Sequence, residues 1–258
     1  MSDLDVKHLH EIARELSSDR LPGGWELIDS SSHTRVARNP QLQLYYKEFR
    51  PRSPVEGLKA LLRGSRAVRA RRNGDALLRC GFRAPANIAW GNLGGGREYL
   101  FTAAVPGQGV DRWLRNSLSP GVHDQLQGRW QLLDELGVLV GRLHATGFIH
   151  GDLRPGNVLA AFEGGRFRFS LIDNERTVRF DSPPGKALVR NLMQLNMLAP
   201  AELSMTDRTR FFRAWRHQMR DLTRLECNIL SAEAYQWAMR RLQEKGQLTP
   251  GDVARAGL

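Results

Sequence analysis

The spacing of apolar residues predicts a short helix and a group of strands in the first part of the chain. Leu9, Ile12 and Leu16 recur at helical spacing, so an amphipathic helix is expected over residues 3–17, before the Pro and Gly residues of 21–24. Alternating polar and apolar residues predict strands at 25–28 and 42–49, with a further short strand between them, and another strand at 98–102. These strands are expected to form an antiparallel sheet.

Helical periodicity also occurs between the second and the last of these strands. Two helices are predicted, over residues 54–63 and 65–79, with leucines on one side and arginines elsewhere. Gly64 separates the two helices, and Gly81 ends the second. The Gly and Pro content after the strand at 98–102 is typical of a connector. We therefore predict two domains, residues 1–104 and residues 105–258.

The second domain is predicted to be mainly helical. Leucine and valine recur at helical spacing over residues 126–146, which indicates a long buried helix. Beyond residue 172 the pattern predicts helices near 185–198, 206–226 and 231–245. The aromatic residues Phe211, Phe212 and Trp215 are expected in the core, whereas the arginines near 208–220 fit either the core or a membrane-facing surface. Together with the predicted sheet, these helices give an α+β fold in two lobes.

Composition is typical of a globular protein. With 258 residues, of which 41% are hydrophobic, the chain can bury a sizeable core. Acidic residues stand near the amino end where a secretory signal would carry bases, and no apolar run reaches the roughly 18 residues of a membrane span, so we expect a soluble, cytoplasmic protein. Cys80 and Cys227 lie far apart without Cys or His at metal-ligand spacing, which predicts buried free thiols and no zinc site.

Charge adds a preference for anionic partners. The formal net charge is +11, and the segment from Arg50 to Arg83 alone holds ten basic residues against two acidic ones. Such a segment favours nucleic acid, a phospholipid surface or a phosphorylated glycan. The sequence carries no nucleic-acid recognition motif, so nucleic acid is not expected as a partner.

The residues most typical of catalysis lie between positions 150 and 173. A His-Gly-Asp sequence at 150–152 is followed by Asn157 and then, after an apolar strand-like run, by Asp173. His-Gly-Asp alone also fits a capped turn, but this ordered set is typical of phosphoryl transfer. An aspartate can orient an acceptor hydroxyl and take its proton, while Asn and Asp oxygens suit Mg²⁺.

A strand lysine upstream of this motif is a second candidate. Lys47 lies between Tyr46 and Phe49 on the strand predicted at 42–49, where a fixed ammonium can reach the α- and β-phosphates of ATP. A lysine on a strand also fits a solvated face. Its position upstream of the other motifs favours the phosphate-binding interpretation.

With these residues the chain resembles the lipopolysaccharide core sugar kinases, the bacterial Kdo and heptose kinase family within the protein-kinase-like fold. The similarity covers most of the chain and lies in the strand Tyr45 to Phe49, the arginine-rich helix, and the segments 150–152, 171–176, 190–192 and 194–196. The resemblance implies a bilobal fold, with an antiparallel sheet and a helix in the N-lobe and a mainly helical C-lobe.

The same resemblance implies roles for the candidate residues. His150 and Asp152 belong to the catalytic site, with Asp152 as the base. Asn157 and Asp173 hold Mg²⁺, and Lys47 holds the phosphates of ATP. The implied acceptor is a hydroxyl of an inner-core sugar, Kdo or heptose, on lipid A. The basic segment 50–83 is then expected to contact this glycolipid, and the anionic inner face of the cytoplasmic membrane, peripherally.

Three features depart from the family pattern. Ala70 stands where a helix glutamate should pair with the strand lysine, and Glu56 or Asp75 could substitute only in a different helix register. The segment 29–34 has no Gly-x-Gly pattern, although backbone amides and serine hydroxyls there can still bind phosphate. Asp-Asn-Glu at 173–175 replaces the usual Asp-Phe-Gly, which argues against an ordinary activation-loop switch and leaves the role of Glu175 open.

Two alternatives to the lipopolysaccharide kinase remain. A small-molecule kinase of the aminoglycoside or choline type carries equivalent motifs, but it should have an acidic pocket for its cationic acceptor, whereas this chain is basic. A pseudokinase that only binds membrane, glycan or protein would explain the missing glutamate. It would not need a base and two metal ligands in order.

Overall fold

The computed structural model describes residues 6–18, 20–28, 31–51, 64–119 and 125–256. The chain divides into two compact units, residues 1–105 and 106–258. Each unit is built around its own set of secondary structure elements.

The first unit contains a five-stranded antiparallel sheet in the order β1-β2-β3-β5-β4. Its elements are helix α1 (Val6–Ser17), strands β1 (Glu26–Ile28), β2 (Thr34–Asn39) and β3 (Leu44–Phe49), helix α2 (Arg66–Arg79), and strands β4 (Asn87–Gly94) and β5 (Arg97–Ala103). Because β3 lies in the middle of the sheet, its residues have strand partners on both sides, and Lys47 is opposite Val36 on β2 and Leu100 on β5.

The two faces of this sheet bury different helices. On one face Tyr46 and Phe101 pack with the apolar side of α1, and the Tyr46 hydroxyl donates to the carbonyl oxygen of Ala13 at 3.4 Å. On the other face Phe49 and Leu100 pack against α2. The alternation of side chains along β3 therefore directs Tyr46 toward α1 and Lys47 toward the α2 face.

The second unit is mainly helical, with two small antiparallel sheets. Its elements are β6 (Gln108–Gly109), α3 (Val110–Arg112) with a following π turn (Trp113–Ser117), α4 (Leu126–Ala145), β7 (Phe148–Ile149), β8 (Val158–Glu163), β9 (Arg166–Leu171), β10 (Val178–Arg179), α5 (Gly185–Leu195), α6 (Met205–Gln218), α7 (Arg224–Glu244) and α8 (Pro250–Ala256). Strands β6, β8 and β9 form one sheet, and β7 pairs with β10. Single 3₁₀ turns at 155–157 and 174–176 follow β7 and β9.

Helices α4 and α6 approach each other closely because α4 carries two glycines on the facing side. A Cβ at Gly137 would lie 2.5 Å from the carbonyl oxygen of Phe211, and one at Gly141 would lie 2.7 Å from that of Trp215. Both distances are too short for a methyl group. The small residues thus let the two helix backbones come together at the center of the unit.

Most of the predicted elements are confirmed, and the antiparallel sheet of the first unit and the mainly helical second unit match the α+β fold in two lobes that was expected from the sequence. The helices predicted at 65–79 and 126–146 match α2 and α4. The helix predicted over 206–226 is wrong, because α6 ends at Gln218 and a new helix, capped by the Thr223 side chain, begins at Arg224. Strands β4, β6, β7, β8 and β10 and helices α3 and α8 were not predicted. The helix expected over 54–63 lies outside the described residues.

The burial predictions agree with the structure in most cases. Phe211 and Trp215 are buried, and Phe212 is half-buried. Cys227 is a buried free thiol, whereas Cys80 is only half-buried. None of the helices within the described ranges is both long and apolar enough to cross a membrane.

Candidate active site

The loop that follows β7 carries the His-Gly-Asp sequence and takes its shape from Gly151. This glycine has φ of +75°, and a Cβ at its position would overlap the carbonyl oxygen of Arg176. A side chain is therefore excluded by both backbone conformation and space. The close contact holds residues 150–152 against the 3₁₀ turn that follows Asp173.

His150 is a buried structural part of this loop. Its side chain is fully shielded from solvent, and Nε2 lies 3.0 Å from the carbonyl oxygen of Ile172. Burial lowers the pKa of His150, so the ring is neutral at pH 7 and Nε2–H donates this bond. Because Ile172 precedes Asp173, the ring ties the loop to the second candidate segment.

Asp152 lies at the mouth of the loop in a two-point ion pair with Arg154. The guanidinium donates from Nε to Oδ1 at 2.8 Å and from its terminal nitrogen Nη2 to Oδ2 at 2.7 Å. The bond to Asp152 raises the pKa of the Arg154 guanidinium. The Asp152 side chain is 16% exposed and that of Arg154 is 63% exposed, so the pair faces solvent on the arginine side. No role for Arg154 was predicted from the sequence.

Asn157 and Asp173 are brought together by the β8–β9 hairpin. Val158 pairs with Leu171, so the residues just outside this pair lie at the same end of the hairpin. The backbone confirms this, since the amide of Ile172 donates to the carbonyl oxygen of Asn157 at 3.0 Å. The Asn157 side chain donates from Nδ2 to the carbonyl oxygen of Asp152 at 2.9 Å. Asn157 therefore bonds both to Asp152 and to Ile172, the neighbour of Asp173.

Asp173 has an uncommon backbone conformation. Its φ of +62° and ψ of +48° are left-handed, a region that Asp tolerates better than most residues but that still costs about 1 kcal/mol or more. Strain of this kind persists where surrounding contacts hold the residue. Here β9 precedes it and a 3₁₀ turn follows it.

Two amide side chains of helix α5 form hydrogen bonds with the backbone of the loop at 150–153. Asn191 accepts from the backbone amide of His150 at 3.0 Å. Gln194 accepts from the amide of Leu153 at 3.0 Å and donates to the carbonyl oxygen of Gly151 at 3.1 Å. The sequence pointed to segments 190–192 and 194–196 only through family resemblance, and their contact with the loop was not predicted.

A cavity of about 360 Å³ adjoins the loop within the second unit. Charged and amide side chains line it together with apolar residues, namely Asp111, Arg115, Arg154, Pro155, Gly156, Asn157, Met197 and Leu198. Arg115 lies 3.5 Å from Asp111 and also pairs with Glu202. Ion pairs thus hold two of the polar side chains that line the cavity, Asp111 and Arg115, and the candidate metal ligand Asn157 lines the same cavity.

The remaining sequence candidates lie in the first unit. Lys47 is half-buried on β3, with its ammonium 5.3 Å from the ring center of Phe49. Ala70 of α2 packs against the apolar cluster on the same sheet face. Asp75 accepts from the Asn87 side chain at 2.8 Å, so β4 occupies one of its carboxylate oxygens. Glu56 lies outside the described residues, and so do Asp29 and Ser30 of the expected phosphate-covering segment.

Side chains that could hold a metal are oxygen donors. In the ranges that the structure covers, no group of three or more His, Cys, Asp or Glu is placed to bind an ion. The pair Asn157 and Asp173 supplies one amide and one carboxylate, which fits Mg²⁺ because this ion usually takes one or two protein ligands and completes its shell with water and phosphate. Glu175 is buried, and its carboxylate is 3.9 Å from the Arg176 guanidinium.

Comparison with known proteins identifies related sequences and folds. The model of the lipopolysaccharide kinase (Kdo/WaaP) family matches residues 56–215. A search of curated protein sequences found no match. Among solved structures, "WaaP in complex with acyl carrier protein" is similar with a TM-score of 0.57 and 18% identity, over 85% of this chain and 88% of that one.

Two further structures share the fold. The crystal structure of WbdD is similar with a TM-score of 0.50 and 19% identity, over 82% of this chain and 45% of that one. The GDP and kanamycin complex of APH(2")-IIia has a TM-score of 0.50 and 14% identity, over 96% of this chain and 95% of that one. At these identities the structures establish the kinase-like fold.

Proposed function

The chain belongs to the lipopolysaccharide kinase (Kdo/WaaP) family and is a kinase acting on the lipopolysaccharide core, and we propose that it transfers phosphate from ATP to a hydroxyl of Kdo or heptose in the inner core. The observation that carries the proposal is the connected set of Asp152, Asn157 and the segment before Asp173. Phosphoryl transfer needs a positioned base and oxygen ligands for a divalent cation in this arrangement.

Asp152 acts as the base that orients the acceptor hydroxyl and takes its proton. Its carboxylate is held by Arg154, which bonds both oxygens and so fixes the plane of the carboxylate. An exposed guanidinium beside the base also presents positive charge to the phosphate that is transferred. His150 maintains the loop and makes no direct contact with the acceptor.

Asn157 and Asp173 hold Mg²⁺ in this proposal. The Nδ2 of Asn157 donates to the loop backbone, which leaves its carbonyl oxygen as the donor atom for a cation. Bound Mg²⁺ neutralizes charge on the phosphates. The left-handed backbone of Asp173 sets the direction of its carboxylate at the end of β9.

Lys47 binds the nucleotide phosphates from the first unit. Central strand position and half-burial restrict this side chain, which favors a fixed ammonium over a solvated one. Ala70 lies on the Lys47 face of the sheet, and an alanine has no carboxylate to pair with that lysine. ATP binding in this protein therefore proceeds without an ion pair between Lys47 and residue 70.

The acceptor sugar occupies the cavity beside Asn157. Asp111 and Arg115 present a carboxylate and a guanidinium, groups that together suit sugar hydroxyls and the acidic substituents of an inner core. The segment 50–83 contacts the glycolipid or the anionic membrane surface. In its described part, α2 exposes Arg72 and Arg79, whereas Arg69 and Arg71 are half-buried and Arg66 is buried. We place the protein in the cytoplasm, peripherally at the inner face of the cytoplasmic membrane.

A phosphotransfer assay tests this function. The purified protein is incubated with ATP, Mg²⁺ and dephosphorylated lipopolysaccharide core, and mass spectrometry follows phosphate on the glycolipid. We expect transfer by the wild type and a loss of about a hundredfold or more in Asp152→Asn, which keeps the shape but removes the base. Asp221→Asn, at an exposed carboxylate outside the loop, is the matched control and should retain activity.

Other outcomes separate the alternatives. Transfer to kanamycin or choline, with none to the core, would establish the small-molecule kinase instead. A thermal shift on adding ATP with Mg²⁺ that disappears in Asp173→Ala would exclude a pseudokinase unable to bind nucleotide. Equal rates for the wild type and Asp152→Asn would refute the role of Asp152 as the base.

A further inference from the structure

A continuous chain of hydrogen bonds runs through the second unit from α6 to the loop at 150–153. The indole Nε1 of Trp215 donates to Nδ1 of His144 at 3.0 Å. His144 Nε2 lies 3.3 Å from Oδ1 of Asn191. Asn191 Nδ2 donates to Oε1 of Gln194 at 3.2 Å. Both amide side chains then contact the loop backbone, as described for the candidate active site.

The groups at the two ends of this series of hydrogen bonds determine which atom donates and which accepts at each position. An indole nitrogen can only donate, so His144 accepts at Nδ1 and carries its proton on Nε2. The backbone amides of His150 and Leu153 can also only donate, so the oxygens of Asn191 and Gln194 face them. Rotating either amide by 180° would bring donors against donors. One arrangement of protons therefore satisfies all these bonds.

Burial makes this arrangement rigid. His144, Asn191, His150 and Trp215 are fully shielded from solvent, so water cannot replace a lost partner. Burial lowers the pKa of His144 to about 4, which keeps its ring neutral at pH 7. The close packing of α4 on α6 at Gly141 brings the Trp215 backbone, and with it the indole, next to His144.

We propose that Asn191 and Gln194 are positioning residues for Asp152, and that the Trp215–His144 pair fixes the orientation in which Asn191 does this. The two amides hold His150, Gly151 and Leu153, the residues on both sides of Asp152, at three backbone points. The effect on catalysis rests on the proposed function. The anchoring of the loop does not, and it can be measured separately.

The key variant is Gln194→Met, which keeps side-chain length and removes the bonds to Leu153, Gly151 and Asn191. Its matched control is Gln131→Met. Gln131 also lies on a helix and donates to a glycine carbonyl, that of Gly165 at 2.7 Å, but at the β8–β9 turn. The two substitutions thus remove the same kind of bond from the same unit, one at the loop and one away from it.

Steady-state kinetics and hydrogen exchange distinguish positioning from a general loss of stability. We expect Gln194→Met to lower kcat about tenfold or more while KM for ATP stays within about twofold, since a small displacement of a reacting group has this effect. Amide exchange should accelerate in residues 150–153. Gln131→Met should change neither property.

The outcomes are separable from those of the proposed function. If Gln194→Met exchanges faster at 150–153 but has the kcat of the wild type, or if both Met variants lose activity equally, the positioning role is refuted. If the wild type transfers no phosphate, exchange alone decides whether the anchor exists, and unchanged exchange refutes it. For His144, ¹⁵N NMR at pH 7 should show the neutral Nε2–H tautomer. An Nδ1–H tautomer or a charged ring would refute the role of the Trp215–His144 pair in fixing the orientation of Asn191.

Discussion

His144 makes the stability of the second unit depend on pH in a defined window. Its Nδ1 accepts the Trp215 indole proton, so a second proton on the ring would oppose that donor. Burial is the larger cause of the lowered pKa, and the hydrogen bond with Asn191 opposes it. The folded protein therefore binds a proton at His144 less readily than the unfolded chain does.

The size and sign of the effect follow from linkage. The pKa of His144 is about 4 in the folded state against an ordinary value of 6.5. Each unit of difference corresponds to about 1.4 kcal/mol, which gives about 3 kcal/mol in total. Between these two values the unfolded chain holds more protons at this site, so the free energy of unfolding falls as the pH is lowered from 6.5 to 4. Above 6.5 the ring is neutral in both states and contributes no slope.

Urea denaturation of the wild type and His144→Gln, followed by tryptophan fluorescence, isolates this contribution. The variant cannot titrate at this position, and other acid-sensitive groups, including His150, are common to both proteins. At pH 7 the variant should be less stable because buried partners lose their bonds. That difference should shrink by about 3 kcal/mol at pH 4, since only the wild type carries the linkage at this site. A difference that stays constant from pH 7 to pH 4 would show that His144 is not held neutral by the fold.

Three further predictions concern packing and buried charge, each measured as a free energy of unfolding. Gly137→Ala should destabilise the protein by about 1–3 kcal/mol, because the added methyl group has no room between α4 and α6. Its control is Gly74→Ala, where the nearest neighbour of the new methyl group is at 3.7 Å, and this change should stabilise α2 by about 0.5–1 kcal/mol. A gain in stability in both variants would contradict the close packing of α4 and α6. Arg129→Met should cost about 3–5 kcal/mol by leaving Asp207 buried without its partner at 2.9 Å, and adding Asp207→Asn should recover part of this. Gly151→Ala should cost about 2 kcal/mol or more from its positive φ and lack of space, and a stability equal to the wild type would refute the glycine requirement.

The sequence predicted the elements whose apolar residues follow a regular period. Helix α4 buries one continuous side, so its leucines stand out at helical spacing. Strand β4 was missed because its asparagines and glycines carry little alternation, and only some of its residues are buried. The break between α6 and α7 depends on Thr223 and Glu226, which bond each other's backbone amides in a capping box. Because this capping box involves only a few residues and has apolar residues on both sides, the break between the two helices was not predicted.

For the candidate site, the sequence indicated residue types but not their partners. Asp152, Asn157 and Asp173 could be chosen because their order along the chain is typical of phosphoryl transfer. The ion pair of Arg154 with Asp152 and the contacts of Gln194 form only when the loop folds back on itself and against α5. The spacing of apolar residues carries no information about such a loop conformation. Two amide side chains three residues apart on an amphipathic helix, Asn191 and Gln194, were the available signal. Buried amides need partners, and the backbone of a loop supplies them.

The position of α5, whose side chains bond to the loop, depends in turn on Arg208. It is one of the arginines for which the sequence was compatible with either the core or a membrane-facing surface. Arg208 is buried and donates to the carbonyl oxygens of Asn196 and Leu198, just beyond the end of α5, and of Leu203, just before α6. Burial lowers its pKa to about 10, so it remains charged at pH 7 and its charge is balanced by backbone dipoles. The unit thus uses a buried charge to fix the end of α5 and neutral amides to hold the loop. Neutral groups suit the second task, because an amide can donate to and accept from the loop backbone without adding a buried charge that would itself need a partner.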